Sequence, residues 1–292
     1  MKVKSSLERM ETKKMKRKAL AEIQNNTDRS ARGFFEPEQE KEDPKSIKPY
    51  TKDILLHYTK EESKYMPSPD YMSSQEEIKW AMRTVLIDWI IDVHYKLNLL
   101  PETLYLSVNL IDRFLTRRVV SIGKLQLVGV AGLLISSKFE EVASPSVETF
   151  VVLTDRSFTE NEILRAEKYM LHCLDYKISY PSPLNWLRQC SQDEEVEKLA
   201  TVILDSTLPE EAFLVYTPSI IGSSAAYIAR DILYGNSDDF NEFHRSTPHD
   251  LGDLSSCICE VKKYLEKPIL HSSIFKKHST SLTKHLSIRR GK

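Results

Sequence analysis

The stretch that decides the fold is Met82-Arg83-Thr84-Val85-Leu86-Ile87-Asp88-Trp89. At roughly 100° per residue, Met82, Val85, Leu86, Trp89, Ile90, Val93 and Leu97 share one wide apolar arc of a helix, and Ile87 and Ile91 extend it past half the circumference. Arg83 projects beside Ile90, within that arc. An unpaired guanidinium in a core costs several kcal/mol, so this helix predicts a carboxylate partner from elsewhere in the fold. Asp112 is the candidate. It sits at the edge of the apolar arc of the next helix, between the angular positions of Tyr105 and Val108, on a side chain short enough to meet an arginine there.

The chain of 292 residues is 41% hydrophobic, enough for two domains of ordinary size. It has only 8 glycines and neither recurring period-two alternation nor Asn-Gly hairpin signals, which argues for helices over sheet. The periodicity predicts a first helix over 76–97. Pro101 then opens a helix over Glu102–Thr116 with Leu104, Val108, Ile111 and Leu115 on its apolar face. After Gly123 comes a helix that is apolar almost all round from Leu125 to Ile135 and must therefore be central, with Gly129, Ala131, Gly132, Ser136 and Ser137 letting its neighbours approach. Ser144-Pro145 reads as cap and first-turn proline of a fourth helix, and Thr159 with Glu162 as a capping box opening a fifth. Tyr180-Pro181-Ser182-Pro183 breaks the periodicity and sets a domain boundary. The second half holds another small-residue helix, Ser219–Arg230, in which Gly222 echoes Gly132, so the second domain reads as a divergent copy of the first. The expected fold is all-α: an arm over 1–46 too poor in apolar groups to order, an N-terminal helix and connector over 47–72, tandem domains over 73–180 and 181–286, and a tail over 287–292.

The net charge of −1 conceals an asymmetry, because residues 1–32 hold ten Lys or Arg against four Asp or Glu. A basic arm on a mildly acidic body points to a signal-bearing tail and away from nucleic-acid binding. Cys173, Cys190, Cys257 and Cys259 have no C-x-x-C spacing and no clustered histidines, so no metal is expected, and the thiols read as buried or idle in a reducing compartment. Residues 1–19 are charged throughout, and no apolar run approaches the roughly 18 residues that cross a bilayer; a soluble intracellular protein without a membrane partner is expected. No phosphate-binding glycine loop and no nucleophile-and-base set occurs, so neither an enzyme nor a cofactor is expected.

Met82-Arg83-x-Val85-Leu86-x-Asp88-Trp89 resembles the opening of the cyclin box. Tyr105-Leu-Ser-Val-Asn-Leu-Ile-Asp-Arg-Phe114, Gly123-Lys-Leu-Gln-Leu-Val-Gly129 and Ser137-Lys-Phe-Glu-Glu141 follow in the family's order and spacing. The resemblance is close over residues 50–178 and loose beyond, and strongest to the A- and B-type mitotic cyclins. It implies two tandem five-helix cyclin folds and a regulatory subunit that binds and activates a cyclin-dependent protein kinase at G2/M, without catalysis of its own. It further implies that Lys138 and Glu167 hold the kinase's mobile helix and activation segment, with Tyr50, Ile54, Phe139, Leu171 and Ile178 as apolar contacts. Met82, Val85, Leu86, Trp89, Asp92 and Gln126 match the patch that docks Arg-x-Leu substrates and inhibitors. Asp92 departs from the pattern, since Glu is usual there and reaches further.

Arg17-x-x-Leu20-x-x-Ile23-x-Asn25 fits the destruction box read by the anaphase-promoting ubiquitin ligase, a pattern that arises by chance in on the order of one in a few hundred chains of this length. The overlapping run Lys13–Lys18 has the composition of a nuclear import signal, so nucleus and cytoplasm are the expected locations. The competing expectation is a cyclin-fold transcription factor holding promoter DNA or polymerase. That reading requires basic helices on the body and often a zinc ribbon, which this sequence lacks.

Overall fold

The computed structural model describes residues 50–191, 193–235, 247–266 and 271–279, which contain helices and no strand. The arm, with Arg17, Leu20, Ile23 and Asn25 and the basic run, lies outside the described residues. In chain order the helices are α1 (Thr51–Glu61), α2 (Trp80–Leu97), α3 (Pro101–Arg117), α4 (Leu125–Glu140), α5 (Val147–Leu153), α6 (Glu160–Cys173), α7 (Pro183–Cys190), α8 (Glu194–Thr207), α9 (Pro218–Tyr234) and α10 (Leu251–Glu266), followed by α11 over 272–279. Helices α2–α6 form one box and α7–α10 the second, and α11 packs Ile274 against the core of the first.

Helix α2 begins at Trp80 rather than at 76. Residues 75–79 stay out of the helix, extended at Gln75 and Lys79 with a bend at 76–77, and the Gln75 side chain works there as a clamp: its amide donates to the carbonyls of Leu115 (2.8 Å) and Arg118 (2.7 Å) and accepts from Val120 N (3.0 Å). At its far end α2 stops at Asn98, whose left-handed backbone (φ 50°) returns its N–H to the His94 and Tyr95 carbonyls. The buried line along α2 is Arg83, Ile87, Ile90, Ile91 and His94, while Val85 is 70% exposed. Ile87 and Ile91 are therefore the centre of the dry face and not its margin.

Helix α3 starts with Pro101 at its first turn, and Glu141 caps it from the end of α4, accepting from Leu100 N (2.7 Å) and Thr103 Oγ1 (2.6 Å). Every residue from Thr103 to Leu115 is buried, polar ones included. The central position expected of α4 alone is thus shared with α3. Its alternate faces are covered by different boxes: Leu104 and Ile111 belong to the first core, and Tyr105 to the second. With its lead-in, the segment Ile122–Glu140 has 19 residues at mean hydropathy 1.3, long and apolar enough to cross a membrane by that measure, contrary to the expectation above. Leu125, Leu127–Ser137 are buried among the other helices, as befits a core helix.

Helix α5 is capped by Ser146, which accepts from Thr149 N at 3.3 Å; the expected cap, Ser144, instead bonds Ser137 Oγ at 3.0 Å. The capping box of Thr159 and Glu162 opens α6. In the second box Gly222 lets α9 approach Pro183 and Trp186 of α7, the first helix of that box. Its counterpart by environment is Gly129, which lies against Leu86 and Ile90 of α2, whereas Gly132 faces Ile111 of α3. The repeat relation therefore pairs Gly222 with Gly129, because both occupy the contact between the first and third helices of a box. Of the cysteines, Cys173, Cys190 and Cys257 are buried and Cys259 is exposed.

Candidate functional site

Arg83 is 1% exposed and lies in a bidentate pair with Asp112, Nε to Oδ1 at 2.7 Å and Nη2 to Oδ2 at 2.8 Å. Tyr71 Oη donates to the same carboxylate at 2.8 Å, and burial, then the Asp112 charge, pushes that phenol far above its usual range. Arg83 has a further role that its own helix gave no sign of. Its Nη1 donates to the carbonyl of Pro209 at 3.0 Å, an acceptor shared with Thr84 Oγ1 at 3.0 Å, so the pair also fastens the second box.

Three more carboxylates do similar joining, Glu62 and Asp205 buried and Asp88 half-buried. Glu62, after α1, accepts from Ser219 N (2.9 Å) and Ser219 Oγ (2.7 Å) at the start of α9, where the helix end favours an anion. Tyr58 of α1 also packs its ring against Trp186, centroids 6.3 Å apart. Asp205 on α8 accepts from Tyr105 Oη (2.6 Å) and meets Lys277 Nζ (2.8 Å) and His278 Nε2 (2.6 Å). Burial alone would raise its carboxyl, but the Lys277 charge and the His278 hydrogen bond outweigh that and hold it well below the carboxylate range. Asp88 accepts from Ser273 N and Oγ. Helix α11 is thereby latched to α2 and α8.

Lys138 near the end of α4 and Glu167 on α6 form an ion pair at 2.7 Å, with the lysine half exposed. Phe139 is 51% exposed beside it. Leu171 and Ile178 are half-buried against the first core. The turn between them uses left-handed Asp175 and Tyr176 (φ 54° and 57°) and is held by Arg117, which donates to Cys173 O (2.5 Å) and Asp175 Oδ2 (3.0 Å). Tyr50 is exposed and Ile54 half-buried on α1. Two charges, Lys138 and Glu167, and three aromatic or aliphatic groups, Phe139, Leu171 and Ile178, are thus presented by α4, α6 and the turn that follows α6.

The second group of residues is assembled from α2 and the start of α4. Met82, Trp89, Asp92 and Gln126 are half-buried and Val85 exposed, but Leu86 is only 6% exposed, seated against Gly129. Leu86 therefore forms part of the core beneath this surface and not part of the exposed stripe. Asp92 already has cationic partners, Lys96 at 2.6 Å and Lys276 of α11 at 3.5 Å, which hold its carboxyl below its ordinary range. Lys276, more than 180 residues away in sequence, could not be placed there by any local signal. Among the described residues no group of His, Cys, Asp and Glu is arranged to hold a metal.

The cyclin N-terminal domain model matches residues 53–179 and the cyclin C-terminal domain model matches residues 181–290. The chain belongs to the cyclin family. Among its relatives, the G2/mitotic-specific cyclin cdc13 of Schizosaccharomyces pombe is 42% identical over 242 residues, covering 82% of this chain and 50% of the relative. The G2/mitotic-specific cyclin-B of Emericella nidulans is 40% identical over 247 residues, with 82% and 51% covered. The chain thus spans about half the length of the curated relatives it matches. A viral cyclin from Herpesvirus saimiri shares the fold at a TM-score of 0.58 and 19% identity, over 81% of this chain and 98% of that one.

Proposed function

We propose that this cyclin is a regulatory subunit that binds and activates a cyclin-dependent protein kinase at G2/M and performs no catalysis itself. The observation that carries the reading is the Lys138–Glu167 pair with exposed Phe139 beside it, in a chain 42% identical to a mitotic cyclin. Paired with each other at 2.7 Å, the two charges are pre-positioned, so a kinase helix docking there meets fixed groups and little side-chain ordering is lost on binding. Leu171, Ile178, Tyr50 and Ile54 supply apolar area around them. Activation is then a population shift: the cyclin binds the kinase conformation with ordered catalytic groups and activation segment more tightly than the slack one.

On this reading the surface of Met82, Val85, Trp89, Asp92 and Gln126 receives Arg-x-Leu segments of substrates and inhibitors, the residues Arg17, Leu20, Ile23 and Asn25 mark the chain for the anaphase-promoting ubiquitin ligase, and the basic run distributes it between nucleus and cytoplasm. The test mixes the purified chain with a cyclin-dependent kinase and measures histone phosphorylation. Lys138→Ala with Glu167→Ala abolishes the stimulation while the melting temperature stays within a few degrees, because an exposed pair is worth at most about 1 kcal/mol. Full stimulation by the double variant would sink the assignment.

A further inference from the structure

A cavity of about 430 Å³ opens in the first box between the end of α3, the start of α4 and α6, lined by none of the residues of the two surfaces described above. Its floor is apolar: Leu127, Ala131 and Met170 are buried there, and the small Ala131 and Ala166 leave the hollow that larger side chains would fill. Its rim carries three cations, Arg118, Lys124 and Arg165, and one carboxylate, Glu162. That carboxylate is consumed within the protein. Its Oε2 accepts from Thr159 N and Oγ1, both at 3.0 Å, and its Oε1 meets Lys124 at 3.3 Å. Arg165 is exposed and has no ion pair among the described residues. The mouth is therefore electropositive, with Val119 (59% exposed) and Tyr169 (50% exposed) presenting apolar area to water beside it.

The wall is built rather than slack. Gln75 ties down Arg118 O and Val120 N on either side of Val119, and the Arg118 guanidinium lies over the Tyr169 ring at 5.8 Å with its Nε on Cys173 Sγ at 3.3 Å. Arg165 and Tyr169 project from the opposite side of α6 to Glu167 and Leu171, so an occupant here and one at the Lys138–Glu167 pair do not compete. The volume falls within the usual range of ligand sites.

We propose that this cavity is a separate docking site for a short acidic peptide of a partner protein, which places an aromatic or aliphatic side chain on the Ala131–Ala166 floor and its carboxylates against Arg118, Lys124 and Arg165. Charge complementarity selects the acidic partner, and the apolar floor requires the anchor. The test uses fluorescein-labelled hexapeptides with Phe, Leu or Ile set among Glu and Asp, with counterparts carrying Lys for each acid, and reads anisotropy against the full chain. At least one acidic peptide binds about tenfold tighter than its lysine counterpart. Arg165→Glu, a change at an exposed position, weakens it about fivefold, as expected for reversing a surface charge. Ala166→Leu weakens it similarly by filling the floor, and Trp89→Ala leaves it unchanged. No binding, equal binding of acidic and basic peptides, binding unaffected by Arg165→Glu and Ala166→Leu, or binding lost in Trp89→Ala each overturns the proposal. So does an Arg165-dependent dimer in sedimentation, or uptake of decanoate with no peptide bound.

Discussion

Removing the guanidinium in Arg83→Ala strands the Asp112 carboxylate at 1% exposure with only the Tyr71 hydroxyl on it. Breaking one side of such a buried pair costs about 3 to 5 kcal/mol. The Pro209 carbonyl adds little to this, because Thr84 Oγ1 at 3.0 Å still satisfies it. For a fold of this size each kcal/mol moves the melting temperature by about 2 to 4 °C, so the variant should unfold roughly 6 to 20 °C below the parent. Circular dichroism at 222 nm measures the shift. Arg83→Met combined with Asp112→Leu removes both charges and should recover most of the loss, since the penalty comes from the stranded charge rather than from the missing bond. A single variant that melts within about 2 °C of the parent, or a double variant worse than the single, would refute the stranded-charge reasoning.

Burial, with the Lys277 charge nearby, pushes His94 down from its ordinary 6.5 to about 4. The unfolded chain protonates near the higher value and the folded one near the lower, so the stability this group contributes is present above pH 6.5 and lost as pH falls to about 4. The loss is roughly 3 kcal/mol, and urea midpoints against pH should show His94→Gln, which cannot titrate, flattening that limb. Lys276→Ala releases Asp92 from one of its two lysines and should tighten an Arg-x-Leu peptide about two- to fivefold by fluorescence anisotropy; unchanged affinity would mean that Asp92 does not receive the arginine. Deleting residues 1–30 should lengthen the protein's lifetime at mitotic exit, and unchanged decay by immunoblot would remove the destruction-box assignment.

The first box was legible because its punctuation is local. Pro101 at a first helical turn and the Thr159–Glu162 capping box act over one turn of chain, and sequence spacing alone specifies them. The start of α2 falls later than periodicity predicts because Gln75 takes its partners from residues 40 to 45 positions away, and those bonds hold 75–79 out of the helix despite a helical pattern. Periodicity did not separate buried Leu86 from exposed Val85, because it says which residues share an arc and not which part of a wide arc a neighbour covers; Gly129 brings α4 onto Leu86 and leaves Val85 outside.

By itself the sequence determined the all-helical, two-box architecture, the family, and that a buried Arg83 needs an acid, because each follows from periodicity, caps and the cost of an unpaired charge. The acid itself, Asp112, 29 residues away, was legible from its place at the edge of the next helix's apolar arc. Only the tertiary structure decided what else that arginine joins, because the Pro209 carbonyl lies 126 residues away and nothing in that segment's composition specifies the meeting. The same holds for Glu62 with Ser219, Asp205 with Lys277 and His278, and Asp92 with Lys276. Side chains at such separations are brought together by helix packing, a property of the whole fold that no local window of sequence contains.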